Sequence, residues 1–220
     1  VANVNHELRT PIGALAVLAE TLEVERAPAT VERLAGRIQA EAARAGALID
    51  ELLDFARVEA VDQPPHRPVS VAEVVDVAAA RVAAAAGRRQ IRVDLAVDPD
   101  LSVMGDIEQL VVAVANLIDN AIKYSDAGTT VQVESRAGKG ETIDLVVSDE
   151  GIGIPPRDLD RVFERFYRVD QARDRRTGGT GLGLAIVRHV AVNHGGDVFV
   201  ESQEGVGTSF TLRLPTGRAG

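Results

Sequence analysis

Over residues 1–25 the apolar positions Leu8, Ile12, Leu15, Leu18 or Ala19, and Leu22 return at helical spacing, which predicts one long helix with a single apolar stripe. A break at Ala27, Pro28, Ala29 and Thr30 precedes a second stripe, through Leu34, Ile38, Ala42, Ala45, Ile49, Leu52 and Phe55 or Ala56, running to about residue 59. Two helices cannot cover stripes of this length on all sides by packing only on each other. The economical solution is a homodimer whose hairpins form a four-helix bundle, with packing on the rest of the chain as the alternative.

The stretch from Asp62 through Pro64, Pro65 and Pro68 cannot continue a helix, because each proline lacks a backbone donor and restricts its predecessor. It predicts an interdomain linker over 61–68, between a helical unit at 1–60 and a second unit at 69–216, with a tail at 217–220. Ser70 and Glu73 form a capping-box pattern opening an Ala/Val-rich helix that is expected to stop at Gly87. Strand and helix patterns then alternate. Strands are predicted at Ile91 to Val97, near Val103, and at Thr130 to Arg136, Thr142 to Asp149, Asp197 to Ser202 and Thr208 to Leu214. Helices are predicted from Asp106 to Tyr124 and Gly181 to Asn193, with a short one at Leu159 to Glu164. The fold class is therefore α+β in two domains, the second an α/β sandwich with helices on one face of a mixed sheet.

Charge narrows the partners. The 220 residues carry 24 basic and 33 acidic side chains, a formal net of -9, which repels polyanions and argues against nucleic acid. An anionic ligand must be met by a local site. The chain has no cysteine, which excludes a thiolate nucleophile, a Cys-ligated metal and any disulfide, and suits a reducing compartment. No apolar run of the roughly 18 residues needed for a membrane span is present, and the chain starts at Val1 inside a helical pattern. A piece of a longer protein is expected, touching a membrane only through segments outside this chain.

Candidate chemistry begins in NHELRTP. His6 and Thr10, four residues apart, share a helical face, and Glu7 can hold the His6 imidazole in one tautomer so that its other nitrogen attacks phosphorus. Thr10 can place a water for the reverse step, and Pro11 removes a helical hydrogen bond beside His6. His66, His189 and His194 carry no such pattern and read as surface residues, with no shared face for a metal.

Four further segments suit a nucleotide. In NLIDNAIKYS, Asn116, Asn120, Lys123 and Tyr124 share one side of a helix, offering amide oxygens to Mg²⁺ and a point charge to phosphate. In SDEGIGIPP, Asp149 ends a strand where its carboxylate can accept from an adenine amine, and Gly151 and Gly153 let backbone pass close to a base. The segment VFERFYRVDQARDRR concentrates Arg165, Arg168, Arg173, Arg175 and Arg176 beside Phe163, Phe166 and Tyr167, the signature of a phosphate-clamping lid with hydrophobic anchors. In TGGTGLGLAIV glycines open directly into a helix, whose N–H groups and dipole then face an anion. Taken singly, each segment also fits a plainer role: a solvated helix face, a strand-exit turn or a basic loop.

Together and in this order, the five blocks resemble the histidine kinases of two-component signalling. NHELRTPI is similar to their H box, NLIDNAIKYS to the N box, DEGIGIP to the first glycine box, FERFYR to the F box and GTGLGLAIV to the second glycine box, over residues 1–215. The resemblance implies a dimerisation and phosphoacceptor hairpin followed by the GHKL ATP-binding fold shared with gyrase, Hsp90 and MutL. It implies His6 as phosphoacceptor, Glu7 as its acid/base partner and Thr10 as the water-positioning residue of a phosphatase. It implies Mg²⁺ on Asn120 and Asn116, phosphate on Lys123, Arg165 and Arg168, and the base on Tyr124, Asp149, Gly151, Gly153 and Ile154, with Thr208 supporting the adenine end. Gly179, Thr180, Gly181, Leu182, Gly183 and Leu184 would border the triphosphate.

The implied activity is an ATP- and Mg²⁺-dependent protein-histidine kinase, in the cytoplasmic portion of a sensor, whose partner is the receiver domain of a response regulator. One departure is Asn5, where the family usually has serine. The LAVLAE and FERFYRVDQAR runs look closest to a phosphate-starvation-sensing subgroup. The alternatives are an ATPase clamp of the GHKL type, which would want a glutamate where Asn116 stands, and a non-catalytic dimeric scaffold.

Overall fold

The computed structural model describes residues 2–60, 67–169 and 180–217, with side chains from residue 8 onward. Helices α1 (Ala2–Val24) and α2 (Pro28–Glu59) form the expected hairpin. Pro11 does not interrupt α1, which stays helical on both sides of it. Proline at the first position of α2 fits a site where no backbone donor is needed. Leu18, Leu34 and Leu48 are buried, whereas Ile12, Val17, Val24, Ile49 and Leu53 are exposed. A two-helix hairpin thus covers only part of its apolar surface.

The second unit opens with β1 (Arg67–Ser70), so Arg67 and Pro68, expected in the linker, are already strand residues. Strand β1 pairs antiparallel with β3 (Ser102–Gly105), separate from the main sheet. Proline is tolerated there because the strand has only one partner. Helix α3 (Val71–Arg89) is capped by Ser70, whose hydroxyl accepts the Glu73 N–H at 3.4 Å, as the sequence pattern implies. It does not stop at Gly87. Gln90 takes the left-handed conformation at φ 57° and donates its N–H to Ala86 and Gly87 carbonyls, so the chain reverses three residues later.

The main sheet runs β2-β4-β5-β7-β6, from β2 (Arg92–Ala96), β4 (Thr130–Ala137), β5 (Thr142–Asp149), β7 (Gly207–Pro215) and β6 (Asp197–Gln203). The β2–β4 pair is parallel and the others antiparallel, so the sheet is mixed. Alternation puts Val131, Val133, Ile143, Leu145, Val147, Phe210, Leu212 and Leu214 on one face, where all are buried. Against that face lie α3, α4 (Ile107–Tyr124) and α5 (Gly183–Asn193), whose Leu117, Ile118, Ile186 and Val190 are fully covered. The opposite face carries the bidentate Arg213–Asp144 pair, both bonds 2.7 Å, and the Ser148–Ser209 bond at 2.9 Å.

Two deviations have physical causes. The short helix expected at Leu159 to Glu164 is a 3₁₀ turn at Pro156–Asp158 followed by separate turns, because Pro155 and Pro156 start the segment and Phe166, at φ 65°, ends it. His194, expected at the surface, is buried. Its Nδ1 lies 2.8 Å from the Val190 carbonyl and its Nε2 accepts the Asp106 N–H at 3.0 Å, the tautomer that this pair of bonds requires. His189 is half-buried, and His66 lies outside the described residues.

Candidate functional site

Helix α4 supplies one wall of a cavity of about 450 Å³. Asp106 caps its start by accepting the Glu108 and Gln109 N–H groups at 2.8 and 3.2 Å. At its end, the Arg89 guanidinium of α3 donates 2.6 Å to the Lys123 carbonyl, satisfying an acceptor that the last helical turn leaves open. The apolar stripe of α4 faces the sheet, which turns Asn116, Asp119, Asn120 and Lys123 into the cavity. Asn116 donates its Nδ2 back to the Val112 carbonyl at 2.8 Å, so its Oδ1 points out, toward Gly183 at the first turn of α5.

Asp149 is the last residue of β5. Its carboxylate accepts the Gly151 N–H at 2.8 Å and a backbone hydrogen bond from Thr208. Burial pushes this carboxyl above its ordinary value, and the two backbone donors only partly offset that. Gly151 passes over the end of α4, where a Cβ would strike the Tyr124 carbonyl, and the Ile152 N–H donates to that carbonyl at 3.2 Å. At Gly153 the backbone turns through φ 67°, and a Cβ would strike the Gln203 carbonyl. Ser202 ties the neighbourhood together: its hydroxyl accepts from Ile154 N–H at 2.8 Å, reaches the Gly207 carbonyl at 2.8 Å and lies 2.9 Å from the Thr208 hydroxyl.

The described part of the segment expected to form a lid is held by one aromatic contact and two hydrogen bonds. Phe163 meets Phe210 edge-on at 6.1 Å, Tyr167 donates 2.7 Å to Asp158, and Phe166 donates its N–H 2.8 Å to the Gly181 carbonyl. Thr180 opens the last wall: its hydroxyl accepts the Leu182 N–H at 3.0 Å, and α5 then begins with no side-chain cap. Backbone donors of that first turn are therefore available at the rim of the cavity.

Lys123 has two carboxylates near it. Its Nζ lies 2.7 Å from Asp119 and 3.7 Å from Glu51 on α2. Burial alone would lower this ammonium's pKa, yet the two carboxylates outweigh it and leave the group above its ordinary value. It is a fixed positive charge inside the cavity.

The cavity thus gathers Asn116, Asn120, Lys123, Tyr124, Asp149, Gly153, Ile154, Arg168, Thr180, Gly181, Gly183, Leu184 and Thr208, thirteen of the residues singled out from sequence, contributed by segments up to 92 positions apart. Gly151 stands directly behind Asp149, and Leu182 is core, 1% exposed. Arg165 does not line it: its guanidinium is 3.1 Å from Glu59 and 4.7 Å from the Phe55 ring, both on α2. Gly179, Arg173, Arg175 and Arg176 lie outside the described residues. His6 and Glu7 belong to α1, as does the exposed Thr10, and among the described residues no lining group comes from α1. Tyr167, expected as a lid anchor, also lines the cavity beside Arg168. Asp119, not singled out from sequence, sits within a quoted motif at helical spacing from Lys123, whereas Glu51 and Ser202 have no local signal.

Residues 105–218 match the family described as histidine kinase-, DNA gyrase B-, and HSP90-like ATPase, and residues 1–61 match the His Kinase A (phospho-acceptor) domain. The chain is similar to the sensor-like histidine kinase SenX3 of Mycolicibacterium smegmatis, at 48% identity over 98% of this chain and 56% of that protein. It is similar to the phosphate regulon sensor protein PhoR of Pseudomonas aeruginosa, at 40% identity over 97% of this chain and 49% of that protein. It also resembles the structure of full-length ShkA in complex with AMPPNP, with a TM-score of 0.67 and 28% identity, over 98% of this chain and 45% of that one. The chain spans about half the length of the curated relatives it matches. On these matches and this architecture, the chain belongs to the sensor histidine kinases, pairing a phospho-acceptor hairpin with an ATPase domain of the gyrase and HSP90 type.

Proposed function

We propose that this chain is an ATP-dependent protein-histidine kinase that phosphorylates its own His6 and passes the phosphoryl group to an aspartate in the receiver domain of a response regulator. The carrying observation is the cavity: one half-buried carboxyl at Asp149, one fixed cation at Lys123 and one uncapped helix start at α5 converge on it. That is the donor and acceptor set of an adenine at one end and a polyphosphate at the other. The nucleotide bound by ShkA supports the same reading.

Asp149 would accept the adenine amine, while Thr208 and Ser202 hold the adjoining strand ends. Lys123, Arg168 and the first turn of α5 would take the phosphates. The residues fit Mg²⁺: Asn116 and Asn120 offer amide oxygens, and no cluster of three His, Cys, Asp or Glu exists among the described residues, which suits an ion completed by water and phosphate. When bound, that ion would neutralise charge on the transferring phosphoryl group. The neutral His6 imidazole would then attack the γ-phosphorus as the bond to the β-phosphate oxygen breaks and ADP leaves, with Glu7 fixing the tautomer and receiving the imidazole proton. Thr10, exposed on α1, would position water for the phosphatase step on the phosphorylated partner.

The exposed Ile12, Val17, Ile49 and Leu53 support a homodimeric four-helix bundle. No helix among the described residues is long and apolar enough to cross a membrane. The longer relatives support a cytoplasmic portion of a membrane-anchored sensor, and SenX3 and PhoR support placement beside the phosphate-responsive sensors. The test is phosphotransfer. Label from γ-labelled ATP and Mg²⁺ is expected to enter the chain and move to a receiver domain, and not to one whose acceptor aspartate is replaced by asparagine; no transfer to any receiver would contradict the proposal.

A further inference from the structure

We infer that Glu51 is a phosphate surrogate: its carboxylate fills the anion end of the nucleotide cavity, so that docking of α2 and loading of a nucleoside triphosphate exclude each other. The inference rests on the nucleotide reading above. Among the described residues Glu51 is the one cavity-lining group supplied by the helical hairpin. One carboxylate oxygen lies 3.7 Å from Lys123 Nζ and the other accepts the Thr180 hydroxyl, which itself receives the Leu182 N–H at the threshold of α5. A single anion thus touches both the cation and the helix entrance that a triphosphate needs. Both side chains of the ion pair are mostly covered, 24% and 21% exposed, and Thr180 is 4% exposed, so this is an interior arrangement and not a solvent-screened surface pair.

The surroundings give the contact leverage. Among the described residues, helix α2 meets the ATPase unit through its C-terminal end: Leu52 and Phe55 pack on the core, Val58 is buried in it, and Glu59 pairs with Arg165. Alongside Glu51 the two units diverge, leaving an open cleft of about 840 Å³ between Glu41, Arg44, Asp50 and Asp54 of α2, a net acidic face, and Arg81, Arg88 and Arg89 of α3. The faces are complementary in charge but not closed. When phosphate oxygens take over Lys123 and the start of α5, Glu51 loses both partners in a mostly buried setting, where an unpaired carboxylate is costly. The ATPase unit then has charge-complementary space into which to move. Linkage makes the effect reciprocal: whatever draws α2 away from the cavity strengthens nucleotide binding by the same factor.

The absence of cysteine makes the test clean, since introduced cysteines are the only labelling sites. Spin labels at Ala47→Cys and Ala84→Cys report the width of the cleft, while titration with Mg-ATP and with adenosine reports the two ends of the cavity. Glu51→Ala, with Glu51→Gln as a gentler variant, is expected to bind Mg-ATP about five- to tenfold more tightly and adenosine unchanged. In the parent chain Mg-ATP should shift the label distance; in Glu51→Ala the nucleotide-free distance should already match the shifted one. Unchanged ATP affinity in both variants would overturn the inference, as would tighter binding with no change in label distance, which would mark simple charge repulsion. Failure of the parent chain to bind Mg-ATP would overturn the nucleotide reading itself, and this inference with it.

Discussion

Asp149 and Thr208 face each other across β5 and β7, and the Thr208 backbone donates to the Asp149 carboxylate. This pairing fixes the proposed acceptor for a base from two directions, since Gly151 donates to the same carboxylate from the turn that follows β5. The Asp149→Asn variant presents a donor where a charged acceptor stood. Its affinity for Mg-ATP is expected to fall about 10- to 100-fold, the scale of one hydrogen bond to a charged group. Calorimetric titration checks this, with circular dichroism to confirm that the fold is retained.

The same carboxyl carries a pH signature. Burial holds Asp149 above its ordinary value of 3.8, so its ionised form is disfavoured by folding. Its contribution to stability is therefore fully present below the unfolded pKa and lost as pH rises through the folded one. Binding has the opposite dependence, because adenine needs the ionised acceptor. Mg-ATP affinity is expected to decline on acidification with a midpoint above the ordinary aspartate value, and Asp149→Asn should lack that decline. Titrations at a series of mildly acidic pH values, comparing both proteins, decide it.

Gly181 holds the lid to the cavity rim. It adopts φ 75°, accepts the Phe166 N–H, and a Cβ would come within 2.8 Å of the Phe166 carbonyl carbon and the Tyr167 carbonyl oxygen. Gly181→Ala is expected to cost at least about 1–2 kcal/mol from the left-handed backbone alone. The thermal midpoint should drop and nucleotide affinity weaken together, because lid anchor and phosphate entrance are one piece of backbone. Thermal melts with and without Mg-ATP measure both effects.

His194 is a structural residue whose loss is felt at the site. Accepting the Asp106 N–H, it secures the start of α4, the helix that carries Asn116, Asn120 and Lys123. His194→Ala leaves that donor without its partner in the interior, at an expected cost of about 1–3 kcal/mol. The melting midpoint should fall by about 2–4 °C per kcal/mol for a unit of this size. Phosphohistidine chemistry, measured well below the new midpoint, should persist.

Much of the second unit was legible because its signals are local. The Ser70–Glu73 cap, the alternation of Ile143, Leu145 and Val147, and the glycines opening α5 each act within a few residues. The end of α3 was misplaced because Gly87 offered the more familiar stop, yet the reversal falls on Gln90, where the chain must turn into β2. The fate of His194 depends on Gly105 and Asp106, 88 positions away from it in the case of Asp106, and no pattern around a histidine announces such a partner. The site was legible wherever a motif lies on one element, as with Asn116, Asn120 and Lys123. Glu51 was not, since its partner Thr180 is 129 residues distant and a lone glutamate on an amphipathic helix looks solvent-facing. Arg165 misled for the converse reason: an arginine in a basic lid can serve a phosphate or a neighbouring helix, and here Glu59 and Phe55 claim it.

The most direct measurement of the central claim is the chemistry of the phosphorylated product. After incubation with γ-labelled ATP and Mg²⁺, the account predicts label on the chain that is labile in acid and stable in alkali, and that vanishes in His6→Gln while nucleotide binding persists. Label that survives the His6→Gln substitution, or that resists acid, would contradict it.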